Sequence, residues 1–152
     1  MGKFYNLVKS YLEGRYKKVI LGHNNETEST WKEIHHGVPQ GSILGPILFL
    51  IYINDLPKLA FNDTKILLYA DDTSIIVTSP NVDMLQEQSD KIFQDVNNWF
   101  KINQLSLKYK KTQYLQFKTQ NSIDYQIRLN FMDNFVNKSS QTKFLGLIID
   151  DT

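Results

Sequence analysis

Apolar and polar positions along the chain repeat with two periods, one typical of helices and one typical of strands. Residues 3–13 and 81–101 place apolar side chains three or four residues apart, which predicts two amphipathic helices. Gly14 follows the first helix, at a position where glycine commonly ends a helix. Ser79, Pro80 and Asn81 open the second helix. Because the second helix is long and has one apolar stripe, we expect it to pack on one face of a sheet.

A third segment is apolar without any periodicity. It begins at Pro46, reads PILFLIYINDL, and is apolar at every position from Ile47 to Ile53. Pro suits the first turn of a helix, and Ser42 is placed to act as its N-cap. The pattern therefore predicts a helix that is buried on all sides, with a buried strand as the competing interpretation.

Short apolar runs with strand composition occupy much of the remaining chain. Residues 15–21 and 30–35 predict a strand pair joined by a polar turn. Residues 65–78 contain two apolar runs that flank Asp71 and Asp72, which predicts a hairpin with both acids at its tip, since Asp is depleted in strands and favoured in turns. Further strands are predicted at 112–117, 123–131 and 143–149.

The order of these elements indicates the fold class. A helix, a strand pair, a helix, a hairpin, a long helix and several strands follow one another along the chain. This order favours an α+β fold of the split-βαβ type, in which helices cover one face of a mainly antiparallel sheet.

Composition limits the classes of protein and of functional site that the chain can contain. The 152 residues suffice for one domain with a real core, and 41% hydrophobic residues with 22% charged residues are usual for a globular chain. The net charge of +1 means that any nucleic-acid contact has to come from local basic clusters. The absence of cysteine excludes disulfides, thiolate metal sites and a cysteine nucleophile. We find no signal peptide and no apolar run long enough to span a membrane, and we expect no membrane partner.

The acidic pair is the first candidate for chemistry. Two carboxylates held side by side repel each other, and a divalent cation offsets that repulsion. Mg²⁺ prefers one or two carboxylates together with substrate phosphates, so Asp71 and Asp72 are candidate metal ligands. The simpler interpretation is that the two acids only form a turn.

Two other kinds of segment could contact a ligand. Residues 37–45, GVPQGSILG, combine three glycines with a proline, which indicates an irregular backbone that a ligand can approach closely. Basic clusters occur at Arg15, Lys17 and Lys18 and again at residues 108–111, KYKK. The lysines could reach phosphates, or they could simply line a solvated strand edge or turn.

Four blocks in this order resemble the reverse transcriptase of non-LTR (LINE-type) retrotransposons. They are GVPQGSILGPILFLIYINDL, YADDT, LSLKYKKTQYLQF and KFLGLIID, and the resemblance covers nearly the whole chain. It implies a partial right-hand polymerase palm, with fingers and thumb largely absent. It divides the chain into a fingers/palm junction (1–36), a palm core (37–118) and an end of the palm with the primer-grip region (119–152).

The resemblance also implies an activity and a set of site residues. The activity is RNA-directed DNA synthesis by two-Mg²⁺ phosphoryl transfer, with an RNA template, a DNA primer and dNTPs as partners and a nuclear site of action inside the cell. The implied residues are Asp71 and Asp72 as metal ligands and catalytic carboxylates, Lys111 as a catalytic residue beside the nucleotide phosphates, Gln40, Gly41, Tyr69 and Ala70 at the nucleotide and template, and Phe144, Leu145 and Gly146 in the primer grip.

The sequence departs from the family in two places. The family uses a third aspartate, in a segment resembling Phe-Asp-x-x-x-Ala-Phe-Asp upstream of GVPQGS, and the acids before His36 (Glu13, Glu26, Glu28 and Glu33) do not match it. Lys108 stands where the family often has Asn. We therefore expect these residues alone to be marginally stable, prone to aggregation and inactive. A non-catalytic retrotransposon remnant, or a weak nucleic-acid-binding module, is the alternative function.

Overall fold

The computed structural model describes residues 2–22, 27–118, 125–131 and 134–151. The helices are α1 (Lys3–Leu12), α2 (Leu44–Ile53) and α3 (Val82–Ile102), with 3-10 helices at Leu56–Leu59 and Tyr109–Lys111. The strands are β1 (Tyr16–Lys17), β2 (Ile20–Leu21), β3 (Thr27–Glu28), β4 (Lys32–Glu33), β5 (Thr64–Tyr69), β6 (Asp72–Val77), β7 (Gln113–Tyr114), β8 (Asn130–Phe131), β9 (Asn134–Phe135), β10 (Asn137–Lys138), β11 (Gln141–Phe144) and β12 (Leu147–Asp150). Across these ranges, no helix has both the length and the apolarity that crossing a membrane requires.

The fold mixes helices with small sheets. The described strands form six two-stranded ladders, of which five are antiparallel and one, β7 with β10, is parallel. The single antiparallel sheet expected from the sequence is not formed among these strands. Eight of the twelve strands are only two residues long, and such short strands offer little edge to a third strand. The chain divides within α2 into two compact units, residues 1–51 and 52–152.

In the first unit, α1 begins and ends close to the predicted residues. The backbone N–H of Glu13 donates to the carbonyl of Lys9, and the Nε of Arg15 donates to the carbonyl of Leu12 at 2.9 Å. Arg15 therefore satisfies a carbonyl at the helix end, where a cation also offsets the negative end of the helix dipole. Gly14 has a φ of +63°, a conformation that ends the helix at low cost.

The predicted strand pair is confirmed, and it contains a bulge. β1 pairs with β4 in the register Tyr16–Glu33 and Lys17–Lys32, whereas β2 pairs with β3 in the register Ile20–Glu28. Two residues separate β1 from β2 and three separate β3 from β4, so the return strand carries one extra residue. The side chain of Ser29 accepts a hydrogen bond from the N–H of Val19 at 2.9 Å and thereby bridges the gap in the ladder. Part of the predicted turn, residues 23–26, lies outside the described residues.

The predicted cap of α2 is confirmed, but the predicted burial of the helix is wrong. The hydroxyl of Ser42 accepts from the N–H of Gly45 at 3.1 Å, and the helix begins at Leu44. Ile47 is 51% exposed and Ile51 is 66% exposed, although the segment is apolar on every side. A helix with apolar residues on all faces is able to be buried. Whether it is buried depends on the elements that pack against it.

In the second unit, the core lies between the β5–β6 hairpin, α3 and the 3-10 helix at 56–59, which contact one another. The buried apolar side chains of these elements are Leu56, Ile66, Ile92, Phe93, Val96 and Trp99. Burying one such side chain contributes about 1.5–3 kcal/mol relative to leaving it exposed, so these contacts dominate the stability of the unit. They also fix the base of the hairpin that carries the acidic pair.

The long helix α3 matches its prediction within one residue at each end. The side chain of Asn81 accepts from the N–H of Met84 at 2.8 Å and caps the first turn. The predicted stripe faces the core, where Ile92, Val96 and Trp99 are buried. Asn97 is also buried among them, and its side-chain amide donates to the carbonyl of Phe93 at 2.7 Å.

The C-terminal strands differ most from their predictions. The strand predicted over 112–117 is reduced to β7, and Gln116 is buried (4% exposed) while Phe117 is exposed (66%), the reverse of what is usual for these residue types. The side-chain amide of Gln116 has no hydrogen-bond partner among the residues that the structure describes. The strand predicted over 123–131 is strand only at β8, and residues 123–124 lie outside the described residues. The segment 143–149 is a hairpin, β11–β12, and not one strand.

The hydroxyl of Tyr109 attaches the basic 3-10 turn at residues 109–111 to α3. It donates to the side-chain oxygen of Asn97 at 2.9 Å, and Asn97 is only 4% exposed. In Tyr109→Phe, this buried oxygen loses its donor, and we expect the free energy of unfolding to fall by about 1–3 kcal/mol in urea denaturation. Tyr16→Phe, at a residue that is 58% exposed, is the control and should stay within about 0.5 kcal/mol of the wild type. Equal stability of the two variants would contradict a structural role for this bond.

The effect of Tyr109→Phe on stability should also depend on pH. Burial raises the pKa of Tyr109 above its usual value of 10.0. The stability that depends on the protonated hydroxyl is therefore complete below about pH 10 and is lost as the pH rises through the folded pKa. Tyr109→Phe should consequently lose less stability than the wild type on alkaline titration followed by circular dichroism. A parallel alkaline loss in both proteins would assign the effect to other groups.

Candidate active site

The acidic pair lies at the tip of the β5–β6 hairpin. Tyr69 pairs with Asp72, and Ala70 and Asp71 form the two-residue connection between the strands. The structure thus brings together four of the residues singled out in the sequence, at the position predicted for the acids. All four are exposed to solvent.

The two faces of this hairpin have different surroundings. Directly opposed residues share a face, so Ile66 with Ile75 and Leu68 with Thr73 lie on the side that includes the core. Tyr69 with Asp72 lies on the other face, together with Leu67 opposite Ser74. The Asp72 side chain therefore leaves the ladder on the face opposite Ile66, while Asp71 belongs to the turn itself.

The backbone at the tip is in an uncommon conformation. Ala70 has a φ of +50°, in a region where a side chain is disfavoured by about 1–2 kcal/mol. Two-residue hairpin connections often need a positive φ at their first position, and glycine usually supplies it. Such conformations persist where the surrounding structure enforces them, and they concentrate at functional sites. Here the six paired positions of β5 and β6 enforce it.

The donor set at the tip suits a hard divalent cation. Asp71 and Asp72 provide carboxylate oxygens, which Mg²⁺ prefers, and their exposure leaves room for the water molecules that Mg²⁺ usually retains. Among the residues that the structure describes, no three His, Cys, Asp or Glu side chains are grouped to hold a metal ion. The tip therefore fits part of a magnesium site.

Asp55 serves the structure of the second unit. Its carboxylate accepts from the indole Nε1 of Trp99 at 3.4 Å, and it immediately precedes the 3-10 helix at 56–59. The Asp55 carboxylate is thus used in packing α3 against the chain that follows α2.

The glycine-rich loop belongs to the first unit. Gln40 and Gly41 form a turn and are exposed, and Gly41 has a φ of +77°. Gly45 has a different role, since a Cβ atom there would lie 2.9 Å from the Oγ of Ser42 and 3.2 Å from a methyl group of Val38. Gly45 therefore permits close packing, and Gly41 permits the turn that presents Gln40.

Lys111 lies at the end of the 3-10 turn at 109–111. Its N–H donates to the carbonyl of Lys108 at 2.8 Å, and the hydroxyl of Thr112 donates to the same carbonyl at 3.1 Å. Tyr109 fixes one side of this turn to α3, whereas Lys110 and Lys111 are exposed. Sequence reasoning missed this anchor, although a polar residue within the apolar stripe of α3, Asn97, was a signal for it.

Phe144, Leu145 and Gly146 lie at the tip of the β11–β12 hairpin. Phe144 pairs with Leu147, and the connecting residues Leu145 and Gly146 have φ values of +50° and +90°. Positive φ at both positions is the signature of a type I′ turn, in which Asn-Gly is the preferred pair. Leu145 is thus strained and 55% exposed.

Comparison with known proteins places the chain in a family. Residues 3–149 match the family described as reverse transcriptase (RNA-dependent DNA polymerase). The chain is 36% identical over 107 residues to the RNA-directed DNA polymerase from mobile element jockey of Drosophila melanogaster, over 64% of this chain and 11% of that protein. It is 30% identical over 158 aligned positions to the jockey polymerase of Drosophila funebris, over 97% of this chain and 16% of that protein.

A further relative comes from another mobile element. The probable RNA-directed DNA polymerase from transposon BS of Drosophila melanogaster is 30% identical over 155 aligned positions, covering 97% of this chain and 17% of that protein. The chain thus spans between 11% and 17% of the length of these relatives. No solved structure gives a significant match. From the family match over residues 3–149 and the mobile-element relatives, we conclude that the chain belongs to the reverse transcriptase (RNA-dependent DNA polymerase) family, in its non-LTR, LINE-type branch.

Proposed function

We propose that this chain is the part of an RNA-directed DNA polymerase that carries two of its catalytic carboxylates. The observation that carries the proposal is the pair of exposed acids, Asp71 and Asp72, at the tip of a rigid hairpin in a chain of this family. The proposed partners are an RNA template, a DNA primer and dNTPs. The proposed arrangement is a polymerase palm, divided at residues 36 and 118 as the sequence suggests.

The role of the tip follows from its charge and its support. Asp71 and Asp72 concentrate negative charge where the β5–β6 ladder holds the backbone fixed, so little reorganisation is needed when a cation binds. When bound, Mg²⁺ neutralises phosphate charge and favours attack by the primer 3′-hydroxyl. Tyr69 shares a face with Asp72 and would contact the primer or nucleotide beside it.

Three other segments complete the proposal. Lys111, exposed on a turn that Tyr109 anchors, would place its ammonium against nucleotide phosphates. Gln40 would donate or accept a hydrogen bond at the template or nucleotide, from a turn that Gly41 makes accessible. Leu145, exposed at the tip formed by Phe144, Leu145 and Gly146, would grip the primer end.

We also propose that these residues need an additional carboxylate to act on a primer. Two-metal phosphoryl transfer requires clustered acids to hold both ions, and the described residues contain no group of three potential ligands. That observation also favours the second candidate function, in which these residues alone bind nucleic acid without extending it.

A graft tests the polymerase assignment. We expect a jockey-type polymerase whose corresponding segment is replaced by residues 3–149 to extend a DNA primer on an RNA template in the presence of Mg²⁺. Asp71→Asn or Asp72→Asn in that chimera should lower the rate at least about a hundredfold, because each removes a carboxylate that would hold Mg²⁺ beside the reacting phosphate. Asp83→Asn, an exposed acid in the first turn of α3, is the matched control and should leave the rate unchanged.

The same assay applies to the 152-residue chain by itself, for which we expect no template-dependent extension. Extension by this chain that disappears in Asp71→Asn would contradict the need for a further carboxylate. A chimera in which Asp71→Asn and Asp83→Asn behave alike would contradict the assignment of the acidic pair.

Strain at Ala70 gives a prediction about stability. Ala70→Gly relieves a disfavoured φ worth about 1–2 kcal/mol and costs about 0.5–1 kcal/mol in backbone entropy. We therefore expect the free energy of unfolding to rise by about 0.5–1 kcal/mol in urea denaturation. Ala60→Gly is the control, since Ala60 has an ordinary φ of −60°, and it should destabilise by about 0.5–1 kcal/mol. Destabilisation by both substitutions would show that the turn is relaxed.

The second strained tip gives a third prediction. Leu145→Asn creates the preferred pair for a type I′ turn, and we expect a gain of about 1 kcal/mol in the free energy of unfolding. In the chimera, the same change should weaken primer binding, measured as a raised KM for primer–template. Leu147→Asn, at an exposed strand position, should instead lose a few tenths of a kcal/mol, since Asn is depleted in strands. A more stable Leu145→Asn with an unchanged KM would remove Leu145 from the primer grip.

A further inference from the structure

The strand pair of the first unit places two lysines in an unfavourable position. Lys17 of β1 and Lys32 of β4 are direct partners in an antiparallel ladder, so their Cβ atoms lie about 4.5–5.5 Å apart on the same face. Like charges placed directly opposite each other destabilise a ladder, and both lysines are exposed. The sequence thus retains a local repulsion that a single substitution would remove.

The neighbouring acids that the structure describes are engaged elsewhere. Glu28 forms an ion pair with Lys18 at 2.6 Å, and Glu33 lies 3.8 Å from the imidazole of His35. Both acids belong to the other face: Glu33 is the partner of Tyr16, and Glu28 is the partner of Ile20. Among the described residues of this hairpin, no acid forms an ion pair with Lys17 or Lys32, so their shared face carries two positive charges.

The other cations of the hairpin have structural roles. Arg15 donates to the carbonyl of Leu12 at the end of α1, and Lys18 lies over the ring of Trp31 at 5.4 Å in addition to its contact with Glu28. Of the basic residues that could reach phosphates according to the sequence, Lys17 is the one whose partner across the ladder is another cation. The bulge after β1 fixes this register, because it absorbs the extra residue beyond the lysine pair.

We propose that Lys17 and Lys32 together bind the phosphodiester backbone of a nucleic acid, flanking a phosphate with two ammonium groups. The bound phosphate offsets the repulsion between the two lysines, so binding of the nucleic acid stabilises the hairpin. This site is separate in sequence from the acidic tip, and the inference rests on the proposed nucleic-acid function. It adds a binding surface that acts on the strand backbone and reads no base.

Equilibrium binding tests the inference with the 152-residue chain. The probe is a fluorescein-labelled oligoribonucleotide of mixed sequence, followed by anisotropy between about 50 and 200 mM salt. We expect Lys17→Gln with Lys32→Gln to lower the affinity roughly tenfold and to reduce the slope of log K against log salt by about 1.4–1.8, the value for two lost phosphate contacts. Lys3→Gln with Lys9→Gln removes the same charge from α1 and should change both quantities little.

Two more variants separate charge from folding. Lys17→Arg with Lys32→Arg keeps both charges and should retain binding. Lys32→Glu places an opposite charge across from Lys17, so it should raise the stability of the hairpin while lowering the affinity at least about tenfold. A folded, fully binding Lys32→Glu protein would overturn the inference.

Other binding results would also contradict or support the proposed site at Lys17 and Lys32. Equal losses in the α1 control would overturn the site, since net charge alone would then explain binding. Failure of the wild-type chain to bind RNA or DNA would overturn it as well, as would equal, lysine-dependent binding of poly-glutamate. Asp83→Asn, at an exposed acid of α3, should bind like the wild type. Binding that depends on Lys17 and Lys32, in a protein whose chimera extends no primer, would support this site and remove the polymerase proposal alone.

Discussion

The packing of one face of the β5–β6 hairpin against α3 determines what the rest of the second unit can do. Ile66, Ile92 and Leu56 are buried in this contact, and the opposite face of the hairpin, with Tyr69 and Asp72, is left exposed. The hairpin is therefore held by its base, and its tip is free for a ligand. The two positive φ values at Ala70 and Leu145 occur at hairpin tips, where only paired strands can enforce them.

Local signals in the sequence were sufficient for several elements of the fold. Ser42 caps α2 as predicted, α3 begins directly after the predicted opening at Asn81, and the acids lie between two apolar runs at a two-residue turn. Each of these depends on chemistry within a few residues, so periodicity and capping rules apply. The placement of Asp71 and Asp72 at a tip could therefore be predicted, whereas the strain at Ala70 could not, because alanine gives no sign of a positive φ.

Features that depend on distant neighbours were not predictable. Half of the residues of the apolar α2 are exposed, and Gln116 is buried while Phe117 is exposed, against the usual preference of these residue types. The segment 143–149 is apolar enough to pass for one strand, and its turn at Leu145 and Gly146 lacks the usual Asn-Gly signature. In each case, the sequence shows which side chains are able to be buried, and tertiary contacts determine which of them are buried.

Gln86 of α3 has a role that resembles that of a neighbouring strand. Its side-chain amide donates to the carbonyl of Arg128 and accepts from the N–H of the same residue, both at 2.9 Å, and it also donates to Asp90 at 2.8 Å. Both amide hydrogens are thus used, and one side chain stands in for a strand partner. Spontaneous deamidation of Gln86 would replace two donors with a carboxylate facing a carbonyl and a second carboxylate. Chemical ageing at this one residue would therefore weaken the attachment of the segment around Arg128 to the helix.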